Sequence, residues 1–302
     1  MHPRNLHLSR YDLKRLSKIC PELAPHVFKN KFGDDSVDFS NPVSVKLLNK
    51  AILMDSYNLS WWDIPDDFLC PPVPGRADYI HYLADLLASP NHGKIPLGQR
   101  VKGVDVGVGA NCIYPLIGSA EYGWSFVGSD VDQKAIEAGQ FILSKNKITT
   151  IELRLQKNSS LIFKDIVKND ELFDFSICNP PFHASALEAA MGSNRKLKNL
   201  GLKKDVLNFG GRGHELWCSG GERAFVGQMI KESAIFSDQV LWFTSLVSKG
   251  ENLAALEVIL KDVRAKEVRV VDMFQGQKKS RFLAWSFKNK DQQTEWAKKR
   301  WI

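Results

Sequence analysis

The sequence predicts an α/β fold, a doubly wound and mainly parallel sheet preceded by a mostly helical extension. Three observations carry that expectation. From about residue 100 onward, short apolar runs alternate with longer amphipathic stretches, the pattern of strand–helix repeats. The first apolar run, Val101 to Val106, leads into a Gly-x-Gly turn at Gly107 and Gly109, the geometry that lets backbone N–H groups approach a nucleotide-like ligand. The second run, Trp124 to Ser129, ends in Asp130, 25 positions after Asp105. An acid at that place can accept from both hydroxyls of a ribose.

In chain order, the spacing predicts a short helix over 9–19 and a longer one over 42–58, where Val43, Leu47, Leu48 and Ile52 form one stripe. Pro65, Pro71, Pro72, Pro74 and Gly75 read as a stiff connector, followed by Arg76 and a helix over 79–87. Strands are expected at 101–106, 124–129, 151–155, 173–178, 239–247, 267–273 and 281–287. Helices are expected between them at about 111–119, 132–146, 183–191, 221–236 and 251–263. Residues 1–75 thus form an extension. Residues 76–288 form the main domain, with a long insertion at 192–220, and 289–302 form a basic tail that packs as a small helix. No internal repeat is visible.

The fourth strand ends in Asn179-Pro180-Pro181-Phe182. These residues suit methylation of a planar amino group, whose lone pair is delocalised and weakly nucleophilic. The Asn179 side-chain oxygen and the Pro180 carbonyl can accept from the two amine hydrogens and localise that lone pair. The prolines fix φ and lack N–H, so the turn is stiff and its carbonyls are free to accept. Phe182 offers a face on which an extruded base can stack. A Pro-Pro turn that merely closes a strand is the plain alternative.

Together these residues resemble the S-adenosylmethionine-dependent methyltransferase superfamily, with its acidic-Gly-x-Gly loop, acid after strand two and Asn-Pro-Pro-aromatic after strand four. A closer resemblance is to the bacterial large-subunit (23S) ribosomal RNA adenine-N6 methyltransferases, relatives of a eukaryotic U6 snRNA adenine-N6 methyltransferase. It spans nearly the whole chain: His2-Pro3-Arg4-Asn5, Phe68 through Arg76 to Ile80, Gly109-Ala110-Asn111 to Leu116, Gln156-Lys157, Asn179 to Phe182, and Asn208-Phe209-Gly210-Gly211. The resemblance implies a Rossmann-like methyltransferase fold with seven strands, the last antiparallel. It implies S-adenosylmethionine as cofactor and an unpaired adenine of large-subunit ribosomal RNA as substrate. Gly107 and Gly109 would pass beneath the methionine part of the cofactor, beside Asn111, with Asp105 near its ammonium. Asp130 would hold the ribose, Asn158 and Ser159 would border the adenine ring, and Arg76 would meet the carboxylate. No strong general base is required, and His183 is assigned to capping or packing.

Composition agrees with an RNA-modifying enzyme and excludes several other classes. Hydrophobic residues make up 44% and charged residues 25%, ordinary for a soluble globular chain. No apolar run approaches a membrane span and no secretory leader opens the chain, so a cytoplasmic protein is expected. Five cysteines without a C-x-x-C pair point to reduced thiols rather than a metal or disulfide framework. Net charge is +7, with basic residues concentrated at Arg4, Arg10, Lys14 and Arg15, and at Arg195, Lys196, Lys198, Lys203 and Lys204. Such clusters suit a polyanion, although charge runs are also ordinary solvated surface. The loop 192–220 adds Phe209 and Trp217 and is expected to be a substrate loop; a disordered insert is the alternative. A monomer is expected.

Rival readings share the site. The amide of a protein glutamine is also a planar, delocalised nitrogen, so N5-methylation of glutamine remains open, as does a DNA base amine. A catalytically silent RNA-binding module is a third reading, opposed by the intact Asp105, Gly107, Gly109, Asp130 and Asn179. A nicotinamide dehydrogenase would use the glycine turn and Asp130 but has no use for Asn-Pro-Pro-Phe.

Overall fold

The computed structural model describes residues 1–188, 211, 213–275 and 278–301. The basic cluster Arg195, Lys196, Lys198, Lys203 and Lys204, with Phe209, lies outside the described residues, as do positions 189–191 of the expected helix 183–191, whose described part is helical only from residue 186.

Seven strands form one sheet in the order β5-β4-β3-β6-β7-β9-β8: β3 (Lys102–Val106), β4 (Ser125–Asp130), β5 (Ile151–Leu155), β6 (Phe173–Cys178), β7 (Val240–Leu246), β8 (Glu267–Gln275) and β9 (Lys278–Ser286). Strands β5, β4, β3, β6 and β7 pair in parallel, while β9 lies antiparallel to both β7 and β8. The strands β3 and β6 at the middle are nearly continuous buried runs, because helices cover both faces. The strand order reverses between β3 and β6, and their carboxyl ends open the crevice where open α/β sheets place ligands.

Close packing fixes two glycines in this frame. At Gly103 on β3 a Cβ would stand 2.3 Å from the Phe175 ring, and at Gly118 on α4 (Ile113–Tyr122) it would stand 2.5 Å from the Phe126 ring. Each absent side chain makes room for an aromatic that fills the layer between sheet and helix.

The N-terminal extension is fused to this frame rather than appended to it. Its helices α1 (Leu13–Ile19) and α2 (Pro42–Ser56) share one hydrophobic cluster with α3 (Val73–Ala88), α4 and the sheet. A small antiparallel hairpin, β1 (Val27–Lys29) with β2 (Asp35–Val37), lies between α1 and α2 and was not expected from the sequence. The connector is also shorter than expected, because α3 begins at Val73 with Pro74 in its first turn, where a missing N–H costs nothing. Arg76 therefore stands on a helix.

The opening string His2-Pro3-Arg4-Asn5 is the clamp that holds α3. The His2 backbone N–H donates to Asp78 at 3.0 Å, and Asn5 Nδ2 donates to Asp78 and to the Pro74 carbonyl at 2.9 Å. Arg4 donates to Asp85 at 2.7 Å, to the His81 carbonyl at 2.9 Å and to the Tyr122 hydroxyl at 3.1 Å. Arg4 is thus turned inward and ties α3 to α4, whereas Arg10 and Arg15 make surface ion pairs with Asp34 and Asp55.

The remaining helices are α5 (Gln133–Lys145), α6 (Gly221–Ser233), α7 (Asn252–Asp262) and α8 (Lys290–Trp301). All five cysteines are free. Among the described residues, no helix is long and apolar enough to cross a membrane, and no cluster of His, Cys, Asp or Glu is arranged to hold a metal ion.

Candidate active site

The carboxyl ends of β3, β4 and β6 border a cavity of about 910 Å3, open solvent at its mouth included. Three stretches build its floor. Gly107 and Gly109 turn through φ values of +73° and +64°, the left-handed region that side chains disfavour. The Gly107 and Val108 amides both donate to the Ser129 carbonyl at 2.9 Å, so the glycine turn is anchored to the end of β4. Asp130 secures it further: its Oδ2 accepts from the Gly109 amide and its Oδ1 from the Asp132 amide, each at 2.9 Å. Asp130 also lines the cavity, and a carboxylate there is a hydrogen-bond acceptor suited to hydroxyl donors.

Asp105 sits just behind the wall, which runs from Val106 onward. Its side chain is buried and neither oxygen has a hydrogen-bond partner. Burial, and secondarily the Asp130 carboxylate, push its pKa well above the ordinary value, while Arg76 opposes the shift. Buried carboxyls are otherwise satisfied inside proteins, so an orphaned one beside a nucleotide-type turn marks a position completed by a ligand with a donor.

On the far side Asn179 and Pro181 line the cavity and Pro180 is buried behind them. Arg76 reaches across from α3, and its Nη1 donates to Asn179 Oδ1 at 3.0 Å and to the Tyr114 hydroxyl at 2.8 Å. That contact fixes the orientation of the Asn179 amide and leaves one lone pair of Oδ1 to accept from a substrate. Phe182 is half-buried and lies off the cavity wall.

The remaining wall comes from elements with weaker sequence signals. Ser159 lines the cavity, but Asn158 does not: it is exposed, and its side chain accepts from the Ser160 amide. Gln156, buried, takes the inner position, holding the Asn158 amide and the Lys164 carbonyl. Glu232 accepts from the Ile162, Phe163 and Lys164 amides at 2.8–3.1 Å and so shapes the turn carrying Leu161 and Ile162, two apolar wall residues. Asn111 donates to the Leu69 carbonyl at 3.3 Å, and the Asn111 carbonyl accepts from Trp62 at 3.1 Å, which seats the proline-rich connector over the glycine turn. Tyr114, Gln156, Leu69, Glu215 and Phe225 line the cavity without having been expected as site residues. Of these, Tyr114 and Leu69 lie inside the resembling strings, Gln156 opens another, and Glu215 carries no local signal at all.

His183 is bound through its backbone: its amide donates to the Leu216 carbonyl, and its own carbonyl accepts from Cys218, both at 3.0 Å. The residue joins the Asn-Pro-Pro-Phe turn to 213–218 through a parallel bridge between His183 and Trp217, as a packing role requires.

A glycine turn at the switch point, an acid after β4 and an Asn-Pro-Pro-Phe turn after β6, all on one cavity, define the class of S-adenosylmethionine-dependent methyltransferases. The chain belongs to a family described as RNA methyltransferase, whose sequence pattern matches residues 1–289. It is 51% identical over 322 residues to a ribosomal RNA large subunit methyltransferase F of Photobacterium profundum, covering 100% of this chain and 95% of that one. A protein of the same name from Yersinia enterocolitica is 52% identical, with 100% and 92% covered. Among solved structures, the human METTL16 catalytic domain in complex with a MAT2A 3'UTR hairpin superposes with a TM-score of 0.82 at 30% identity, covering 96% of each chain. The N-terminal domain of human METTL16 in complex with SAH gives 0.76 at 28% identity, covering 96% of this chain and 99% of that one.

The residues present fit the cofactor. The buried Asp105 carboxyl has no hydrogen-bond partner, Asp130 faces the cavity as an acceptor, and Arg76 is the one cation on the wall among the described residues. Burial raises the Asp105 pKa, and an ammonium arriving beside it would favour the ionised form and lower that pKa again. Cofactor binding is then expected to release protons and to tighten as pH rises toward the raised pKa. Titration calorimetry in buffers of different ionisation enthalpy checks this, and a proton count near zero would contradict it. The same group lowers fold stability as pH rises from its unfolded toward its folded pKa, because the native state there binds more protons than the unfolded one.

Proposed function

We propose that this enzyme transfers a methyl group from S-adenosylmethionine to the N6 amine of a specific unpaired adenine in large-subunit ribosomal RNA, acting in the cytoplasm as a monomer. The observation that carries the reading is Asn179, held by Arg76 at the edge of the cavity and followed by two rigid prolines. The names of the bacterial relatives supply the substrate class, and the METTL16 hairpin complex supports an RNA rather than a protein substrate.

Bound S-adenosylmethionine supplies an electrophilic methyl on a sulfonium. The protein's own part is orientation and charge placement. Asn179 Oδ1 and the Pro180 carbonyl accept the two N6 hydrogens and draw the nitrogen toward a tetrahedral geometry, which exposes its lone pair. Phe182 supports the face of the base. After the nitrogen–methyl bond forms, the nitrogen carries an extra proton, which passes to water, so no side-chain base is needed. A base must leave its stack to reach this turn, and an unpaired adenine does so at lowest cost.

Nucleoside mass spectrometry on large-subunit RNA incubated with the protein and methyl-labelled cofactor tests the reading. Labelled N6-methyladenosine supports it; label on another nucleoside, or on a protein glutamine instead, refutes it. RNA contacts are assigned to Arg10, Lys14 and Arg15 and to the basic loop, while Arg4 serves the fold. Replacing Arg195, Lys196 and Lys198 together with alanine should weaken RNA binding and flatten the slope of log K against log salt by about 2, at roughly 0.7 per single-strand phosphate contact. An unchanged slope removes the loop from the interface.

A further inference from the structure

Arg76 holds Asn179 through a single nitrogen, and that nitrogen is itself held. Its Nη1 donates to Asn179 Oδ1 at 3.0 Å and to the Tyr114 hydroxyl at 2.8 Å, which commits both of its hydrogens. A guanidinium is planar and the two N–H bonds of one Nη diverge at a fixed angle, so an acceptor on one hydrogen sets the direction of the other. The Tyr114 ring adds a second hold, since Arg76 Cζ stands 5.5 Å from its centroid. Without such holds an arginine samples many rotamers. An amide that loses its donor can then turn over and present Nδ2 in place of Oδ1.

Tyr114 is fixed in turn by buried elements. It stands in the first turn of α4, just after the glycine turn, and is buried. Its ring meets the Tyr79 ring edge to face, with centroids 5.5 Å apart. Tyr79 and Arg76 lie three positions apart on α3 and so share a face. The Tyr79 hydroxyl meets Thr244 Oγ1 at 2.7 Å, and Thr244 donates onward to the Ser176 carbonyl of β6 at 2.6 Å. Tyr114, Arg76 and the strand that leads into Asn179 are thus tied into one frame. Burial raises the Tyr114 pKa against the pull of Arg76, so the hydroxyl stays neutral and meets the guanidinium as an acceptor.

We propose that Tyr114 is a positioning residue for methyl transfer: its hydroxyl and ring aim Arg76 Nη1 at Asn179, which keeps Oδ1 turned to accept from the target amine. The helix that starts after the glycine turn thereby also sets the polarity of the turn after β6. The inference rests on the reading of Asn179 as the acceptor for that amine.

The test is a double-mutant cycle. Single-turnover methyl transfer to large-subunit RNA and the dissociation constant of S-adenosylmethionine are measured for the full chain, Tyr114→Phe, Asn179→Ala and the double variant. Phenylalanine keeps the ring against Arg76 and Tyr79 and deletes only the acceptor. Tyr114→Phe alone should slow transfer about tenfold, the weight of one hydrogen bond to a charged group, with cofactor affinity within about twofold. In the Asn179→Ala background the same change should slow transfer by less than about twofold, because it acts through the amide already removed. An equal factor in both backgrounds would make Tyr114 a general support of the fold and overturn the proposal, as would an unchanged rate. So would a loss of cofactor affinity as large as the loss of rate, which would place the hydroxyl in the cofactor site instead. Full activity of Asn179→Ala would remove the reading of the amide itself, a result seen without any change at Tyr114.

Discussion

Asn179→Ala is expected to cut methyl transfer by about 10²- to 10³-fold while the dissociation constant for S-adenosylmethionine stays within a few-fold, the size of loss seen when one preorganised polar group at a reacting centre is removed. The reasoning separates two jobs of one amide. Asn179 Oδ1 accepts from Arg76 Nη1 at 3.0 Å, so deleting it frees one donor of a guanidinium that keeps its bond to Tyr114 at 2.8 Å. The cavity floor, built by Gly107, Gly109 and Asp130, is untouched. What is lost is the acceptor that localises the lone pair of the target amine, an effect confined to the transition state. Asn179→Asp is the sharper companion: it adds a full charge 3.0 Å from the Arg76 guanidinium and locks the acceptor into an ion pair. Single-turnover rates beside equilibrium cofactor binding check both variants. A loss of binding that matches the loss of rate would show that Asn179 holds the cofactor and leaves the amine alone.

The site was legible in the sequence where chemistry demands rare residues in a fixed order, and illegible where tertiary packing brings residues together. Gly107, Gly109, Asp130 and the Asn179 turn each stand at the carboxyl end of an apolar run, and apolar runs alternating with helical stretches read as the strands of one mainly parallel sheet, which sets those ends along one edge. Asn158 and Ser159 show the limit of such reading. They lie in one turn, one residue apart, and only the second reaches the wall, because register within a turn is set by bonds such as that from the Asn158 amide to Gln156. Glu215 comes from a segment 85 positions past Asp130, and nothing around it in sequence suggests a cavity. The hairpin β1–β2 was missed because strands of three residues show no periodicity. The start of α3 was missed because prolines that look like a connector are equally acceptable in a helix's first turn. Charge alone groups Arg4 with the RNA contacts, and charge cannot tell an outward arginine from one spent on Asp85, His81 and Tyr122.

The basic tail offers the second large effect, on stability. Helix α8 carries Trp296, Arg300 and Trp301, and all three converge on Asp174, which is fully buried in β6. Its Oδ1 accepts from Trp296 Nε1 and Arg300 Nε at 2.8 Å and from Trp301 Nε1 at 2.9 Å; its Oδ2 accepts from the Lys102 amide at 2.7 Å and from Arg300 Nη2 at 3.0 Å. One carboxylate thus satisfies the first amide of β3, two indoles and a guanidinium. Asp174→Ala would leave these donors without an acceptor, the Arg300 charge among them, and is expected to cost about 3–5 kcal/mol. Against a typical domain stability of about 5–15 kcal/mol, that brings the fold near its limit. Asp174→Asn should cost less, since its oxygen still accepts while its amide group meets donors. Urea unfolding monitored by tryptophan fluorescence checks the order, with the midpoint falling from the unaltered chain to Asn to Ala at constant slope. Equal midpoints for all three would mean that α8 docks by apolar packing alone. β6 begins with Phe173-Asp174 and leads directly into Asn179, so the clamp fixes one end of β6 while the other presents the Asn179 amide to the cavity. The marginal variant should therefore lose activity through unfolding, and activity per folded molecule, measured below its transition, should match that of the unaltered chain.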